Sequence, residues 1–181
     1  MRAGPIATGL LACILGISGC GEETTPGTAD GVCGGQVPAG ETCNSFVDLS
    51  TPITPTCVTG EMPIGMGGNI VDGTYFLTEQ IYYNEPGCPN MPIGSTLVIS
   101  GSCIQSVNGQ WSVTSSTSIA VQGNSITKTH TCLSSAMRPE EVTFDEPTHT
   151  FTATPTTFTV FQLNSAANNP NPDRVEVFTR R

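Results

Sequence analysis

From Gly73 onward the chain alternates. In "QWSVTSSTSIAV", Trp111, Val113, Ile119 and Val121 stand against serine and threonine. In "SITKTHTC", Ile126, Lys128, His130 and Cys132 stand against Thr127, Thr129 and Thr131. A period of two sends successive side chains to opposite faces of a strand. No stretch keeps a helical period of 3.6 residues, so the pattern commits the chain to an all-β fold.

The alternation recurs between turn signals. "GGNIVDGTYFLTEQIYYN" turns at Asp72-Gly73 and then runs as a long strand. Period two puts Tyr75, Leu77, Ile81 and Tyr83 on one face, interrupted by Glu79. "STLVISGSCIQSV" reads as one strand with Leu97 and Ile99 on one face and a bulge or bend at Gly101. Asn108-Gly109 and Gly123-Asn124 are tight-turn dipeptides. "EVTFDE" carries Val142 and Phe144, and "THTFTATP" carries His149, Phe151 and Ala153 before Pro155 turns the chain. "TTFTVFQLN" sets Phe158 and Val160 opposite Phe161 and Leu163, and "RVEVFTRR" places Val175 and Val177 together. About eight strands joined by short turns predict an antiparallel up-and-down meander. Closure into a small barrel removes exposed edges and is favoured over a β-sandwich. The 26 threonines suit such strands.

The first 72 residues differ. Arg2 precedes an apolar run from Ile6 to Ile17. About 20 apolar residues are needed to span a bilayer, so the run reads as a cleavable export signal. It ends in Ile17-Ser18-Gly19-Cys20, which resembles the bacterial lipobox. The resemblance implies that residues 1–19 are removed and that Cys20 carries a diacylglycerol as the first mature residue. Two or more acyl chains anchor stably without any protein span. In Gram-negative lipoproteins an Asp after that Cys often retains the protein at the inner membrane. Gly21 stands there, so the resemblance implies the outer membrane. Residues 20–40, rich in Gly, Thr, Glu, Pro and Ala, read as a flexible tether. Residues 41–72, with scattered apolar positions between prolines, read as an irregular segment docked on the β-domain of residues 73–181.

Loss of residues 1–19 takes Arg2 with it and leaves 15 acidic against 5 basic side chains. Such a chain is unsuited to nucleic acid and would be repelled by an anionic bilayer, so the expected membrane contact is the lipid on Cys20. Cys33, Cys43, Cys57, Cys88, Cys103 and Cys132 remain as an even set for an oxidising compartment, which predicts three disulfides. Cys43 and Cys57 could pair locally across a Pro-containing loop.

Two further resemblances can be drawn. "GGNIVDGTYFLT", "LVISGSCIQ", "TATPTTFTVF" and "VFTRR" resemble a group of lipoproteins common in myxobacteria, to which no activity is assigned. The Gly73-Thr74-Tyr75 opening and the meander layout are similar to small lipocalin-like barrels, which implies a place for a small apolar ligand.

Residues that could carry chemistry are sparse. His130 follows the Ile126 alternation and points inward; His149 shares the face of Phe151. They form a candidate pair, but two unrelated strand histidines are the expected arrangement. Glu140, Glu141, Asp145 and Glu146 lack calcium-loop spacing. "MPIG" occurs at Met62–Gly65 and Met91–Gly94, near Met66, without the clustered histidines of a copper site. No nucleophile elbow or zinc-protease motif occurs, and no Cys-x-x-Cys is present. No catalytic residue, metal ligand or cofactor is therefore expected. Tyr75, Tyr83 and Trp111, with Tyr82, are candidates for a pocket or for core packing. The expected role is a non-catalytic envelope domain with a structural or interaction task; the alternative is a carrier of a small apolar ligand.

Overall fold

The computed structural model describes Cys33 and residues 42–135, 148–163 and 173–181. Cys20, the signal and most of the tether lie outside the described residues, as do Glu140, Glu141, Val142, Phe144, Asp145 and Glu146.

The alternating region forms eight strands: β2 (Gly73–Tyr83), β3 (Ser95–Ser100), β4 (Cys103–Asn108), β5 (Val113–Gln122), β6 (Ser125–Ser135), β7 (His149–Ala153), β8 (Thr157–Gln162) and β9 (Asp173–Arg180). Each pairs antiparallel with the next, and β9 pairs back onto β2 along Tyr75–Tyr83. The meander therefore closes into a ring of hydrogen-bonded strands, as the sequence predicts. Among the described residues the thinnest seam of the ring is β6–β7, joined at Ser125–Ile126.

Three details depart from simple alternation. The expected bend at Gly101 is a complete reversal: Ser100 pairs with Cys103, and Gly101 has φ +56°. Glycine reaches that conformation without steric cost, so a two-residue hairpin splits the expected single strand into β3 and β4. In β2 the pairing to β9 slips between Leu77 and Glu79. That bulge turns Gln80 inward and moves Ile81 and Tyr83 off the face shared by Tyr75 and Leu77. Val175 and Val177 do share a face, but it is the outer one, where they pack with Met62 and Phe161.

Inside the ring, one end is packed. Tyr75, Ile99, Ile126, Phe151 and Phe158 are almost wholly buried there. Phe158 is central, with ring centroids 6.4 Å from Tyr75, 6.2 Å from Phe151 and 6.5 Å from Phe178. Such offset and edge contacts add to area burial. The Tyr75 hydroxyl donates to the Val71 carbonyl at 2.6 Å, which satisfies its only polar atom.

Residues 42–68 wind around the outside of this ring as a belt. Cys43 N–H donates to Thr114 Oγ1 on β5, and Asn44 Nδ2 donates to the carbonyls of Ser106 and Ser115 on β4 and β5. Leu49 N–H donates to Thr96 on β3, and Ile53 bridges Ile93. A three-residue strand, β1 (Thr56–Val58), then pairs parallel with Ile81–Tyr83 of β2. This is one regular strand in a segment expected to be irregular, and it fills the edge that β3 leaves beyond Phe76. Met62 covers Phe161 and Val175 on β8 and β9. Gly67 finally bridges Thr152 on β7. The belt explains why outward-facing Thr96, Thr114 and Ser116 are buried.

All six cysteines predicted to pair do so, as Cys33–Cys103, Cys43–Cys132 and Cys57–Cys88. The local pairing of Cys43 with Cys57 does not occur. The belt carries these two residues to different walls of the ring, Cys43 to β6 and Cys57 to the loop after β2. A slip in the β5–β6 register at Ser116/Thr117 places Cys132 opposite outward-facing Ser116, off the His130 face, where Cys43 meets it. Three disulfides fit an oxidising, exported environment.

Candidate functional site: a half-polar cup inside the ring

The end of the ring opposite the packed core is hollow. A cavity of about 220 Å³ lies there, floored by Leu77, Leu97, Ile104, Phe158, Val160 and Phe178. Its walls are polar. β4 and β5 supply Ser106, Asn108, Ser115 and Thr117; β6 supplies Lys128 and His130; β8 and β9 supply Gln162, Arg174 and Glu176. A wider vestibule of about 540 Å³ shares Gln80, Ile93, Asn108, Arg174 and Glu176 with the cavity. It is lined further by Tyr82, Met91, Gln110 and Trp111. Ligand sites usually enclose about 300–1,000 Å³, which cavity and vestibule reach together.

Period two explains the wall. On β8, Phe158 and Val160 of the floor continue to Gln162; on β9, Phe178 continues to Glu176 and Arg174. Each strand turns from apolar to polar on its inner face as it approaches the open end. On β2 the bulge performs the same switch, because it brings Gln80 rather than Glu79 inward.

Glu176 organises the mouth. Its Oε1 accepts from Gln80 Nε2 at 2.9 Å and its Oε2 from Gln162 Nε2 at 3.0 Å. Arg174 Nε lies 3.3 Å from Oε1, an ion pair rather than an aligned hydrogen bond. The charges of this pair offset one another across the wall. Beside them, burial raises the Tyr82 phenol above its usual pKa against the opposing effect of Arg174. Gln80 Oε1 is buried without a hydrogen-bond partner, as are both amide atoms of Gln110.

The histidines do not converge. His130 faces the cavity, as its alternation predicts, and its Nδ1 lies 2.8 Å from Thr117 Oγ1. His149 is buried opposite Ile126, four residues away along β6, or about 13 Å of strand. Among the described residues no group of three or more His, Cys, Asp or Glu side chains is placed to share a metal ion. The methionines also separate: Met62 is buried where the belt packs on β8 and β9, Met91 borders the vestibule and Met66 is exposed. The glycines that end the two "MPIG" runs do share a role. A Cβ at Gly65 would strike the Phe151 backbone, and one at Gly94 would strike Ser50 and Asp48.

Of the candidate aromatics, Trp111 and Tyr82 line the vestibule. Tyr75 belongs to the packed core and Tyr83 to the outer cluster under Met62, because the bulge separates them. Alternation alone missed Gln80, Gln162, Arg174 and Glu176. The interruption of the apolar face at Glu79 was the one local sign that β2 changes face.

Comparison with known proteins finds no matching family model, no matching curated protein and no matching solved structure. Among the described residues no helix is long and apolar enough to cross a membrane.

Proposed function

We propose that this chain is an exported binding protein, anchored by lipid at Cys20, whose ring holds a small molecule in the cup. The observation that carries this reading is the split interior. One end is packed with aromatic and aliphatic side chains, while the other keeps a cavity that opens into a vestibule. A domain selected only for rigidity gains nothing from an unfilled interior, since voids forfeit dispersion contacts. The lining also speaks to the guest. A wholly apolar ligand would cover the Glu176 carboxylate and leave the Oε1 of Gln80 without a partner, which is costly, so the guest carries hydrogen-bonding groups.

The lipobox-like end of the apolar leader supports the anchor, and the three disulfides suit an exported domain. A non-catalytic display role is the second reading. Its support is the exposed apolar side chains of the belt, with Val47 at 71 % and Leu49 at 70 % exposure. Native mass spectrometry on protein purified from its own envelope separates the two. The binding reading expects a non-covalent adduct of a few hundred daltons that is released on unfolding. A bare mass would favour display.

A further inference from the structure

The mouth of the cup brings together polar groups that do not satisfy one another. Gln80 is only 5 % exposed, and its Nε2 is committed to Glu176 while its Oε1 has no partner. Gln110, on the same vestibule, has both amide atoms buried and neither paired. Buried polar atoms are rarely left so, and each exception calls for an explanation. Both side chains line the vestibule, so a modest rotation toward it would give a guest two acceptors and a donor.

The third member is Trp111, which is 44 % exposed and lines that vestibule, an aromatic side chain on which the C–H face of a ring can pack. The fourth feature is charge. Arg174 and Glu176 face one another at 3.3 Å, so the mouth has no net charge of its own to offer.

We propose that the vestibule takes a neutral saccharide or cyclic polyol ring. Its C–H face lies on Trp111, one hydroxyl donates to Gln80 Oε1, and a second exchanges hydrogen bonds with the Gln110 amide. A hydroxyl donates once and accepts twice, which matches these amides. An apolar chain would leave all three amide atoms unpaired. A charged head would have to compete with the Arg174–Glu176 ion pair for its partner. The inference rests on the reading of the cup as a ligand site and adds the class of ligand.

Trp111 is the only tryptophan in the chain, so its fluorescence reports this site alone. The full-length protein in detergent is titrated with glucose, galactose, mannose, N-acetylglucosamine and myo-inositol, and separately with decanoate. The proposal expects a saturable emission shift with at least one ring. It also expects Gln80→Ala and Trp111→Ala each to weaken that ring's binding at least tenfold by calorimetry. Trp111→Ala alters an exposed turn position, so it keeps the test valid should Gln80→Ala fail to fold. If decanoate shifts the emission and no ring does, the ligand class is wrong while the binding site stands. If neither shifts it, both fall. If a ring binds equally to both variants, it sits elsewhere and the proposal is overturned.

Discussion

Asp48 shows how one side chain fastens the belt. Its Oδ1 accepts from Ser50 N–H at 3.0 Å, Ser50 Oγ at 2.7 Å and Thr96 Oγ1 at 2.8 Å, and its Oδ2 accepts from Gly109 N–H at 3.0 Å. Burial alone would raise this carboxyl, but those hydrogen bonds outweigh it and hold the pKa below 3.8. The carboxylate's contribution to stability is therefore complete above about pH 4 and falls away as pH drops through the folded value. Asp48→Asn should cost about 1–2 kcal/mol at pH 7, since an amide cannot accept from all these donors. Urea denaturation should show the gap between wild type and variant closing toward pH 2. A gap that stays constant across that range would rule out the carboxylate as its source. Gly65→Ala should cost about 1–3 kcal/mol by overpacking against β7, read as a lower urea midpoint with an unchanged slope. None of this was legible beforehand. Asp48 sits in a stretch without periodicity, and its partners lie on three different segments.

At the scale of elements, the strands were legible because each buries one face, and burial writes alternation into the sequence. What alternation cannot locate is a change of phase. The slip in β2 exchanges Glu79 for Gln80 on the inner face, and the slip between β5 and β6 sends Cys132 outward. Gly101 was visible as an irregularity, but a bend and a hairpin look alike until the next strand is seen to return. The belt was invisible for a different reason. Its contacts are mostly hydrogen bonds to strands far away in sequence, and these impose no period. Its disulfides are correspondingly long-range, with Cys43–Cys132 closing a separation of 89 residues. A Cys43→Ala/Cys132→Ala variant should lose about 2–5 kcal/mol, measurable by chemical denaturation. Peptide mapping without reduction should recover Cys33–Cys103, Cys43–Cys132 and Cys57–Cys88 as the linked pairs. A Cys43–Cys57 peptide would contradict the path of the belt.

At the scale of the molecule, the leader and the ring carry separate parts of the account. The proposed anchor rests on the leader: Cys20→Ser should abolish detergent partitioning and lipid labelling, and a variant that still partitions would refute the proposal. The ring concerns function, through an interior that is filled at one end and open at the other. The open end was only partly legible. The inward histidine at His130 follows from alternation, whereas Trp111, read as a strand residue for a pocket or for packing, lies in the turn before β5. Glu176, by contrast, meets Gln80 only because a bulge and a ring closure bring β9 against β2. The most direct measurement of the central claim is an amide-shift map of the ¹⁵N-labelled protein against a library of small polar fragments. The account predicts that hits perturb residues around the cup, including Gln80, Thr117, His130 and Glu176, and leave the packed end near Tyr75 and Phe151 unmoved. Fragments that bind only along the outer belt, or none that reach the cup, would contradict it.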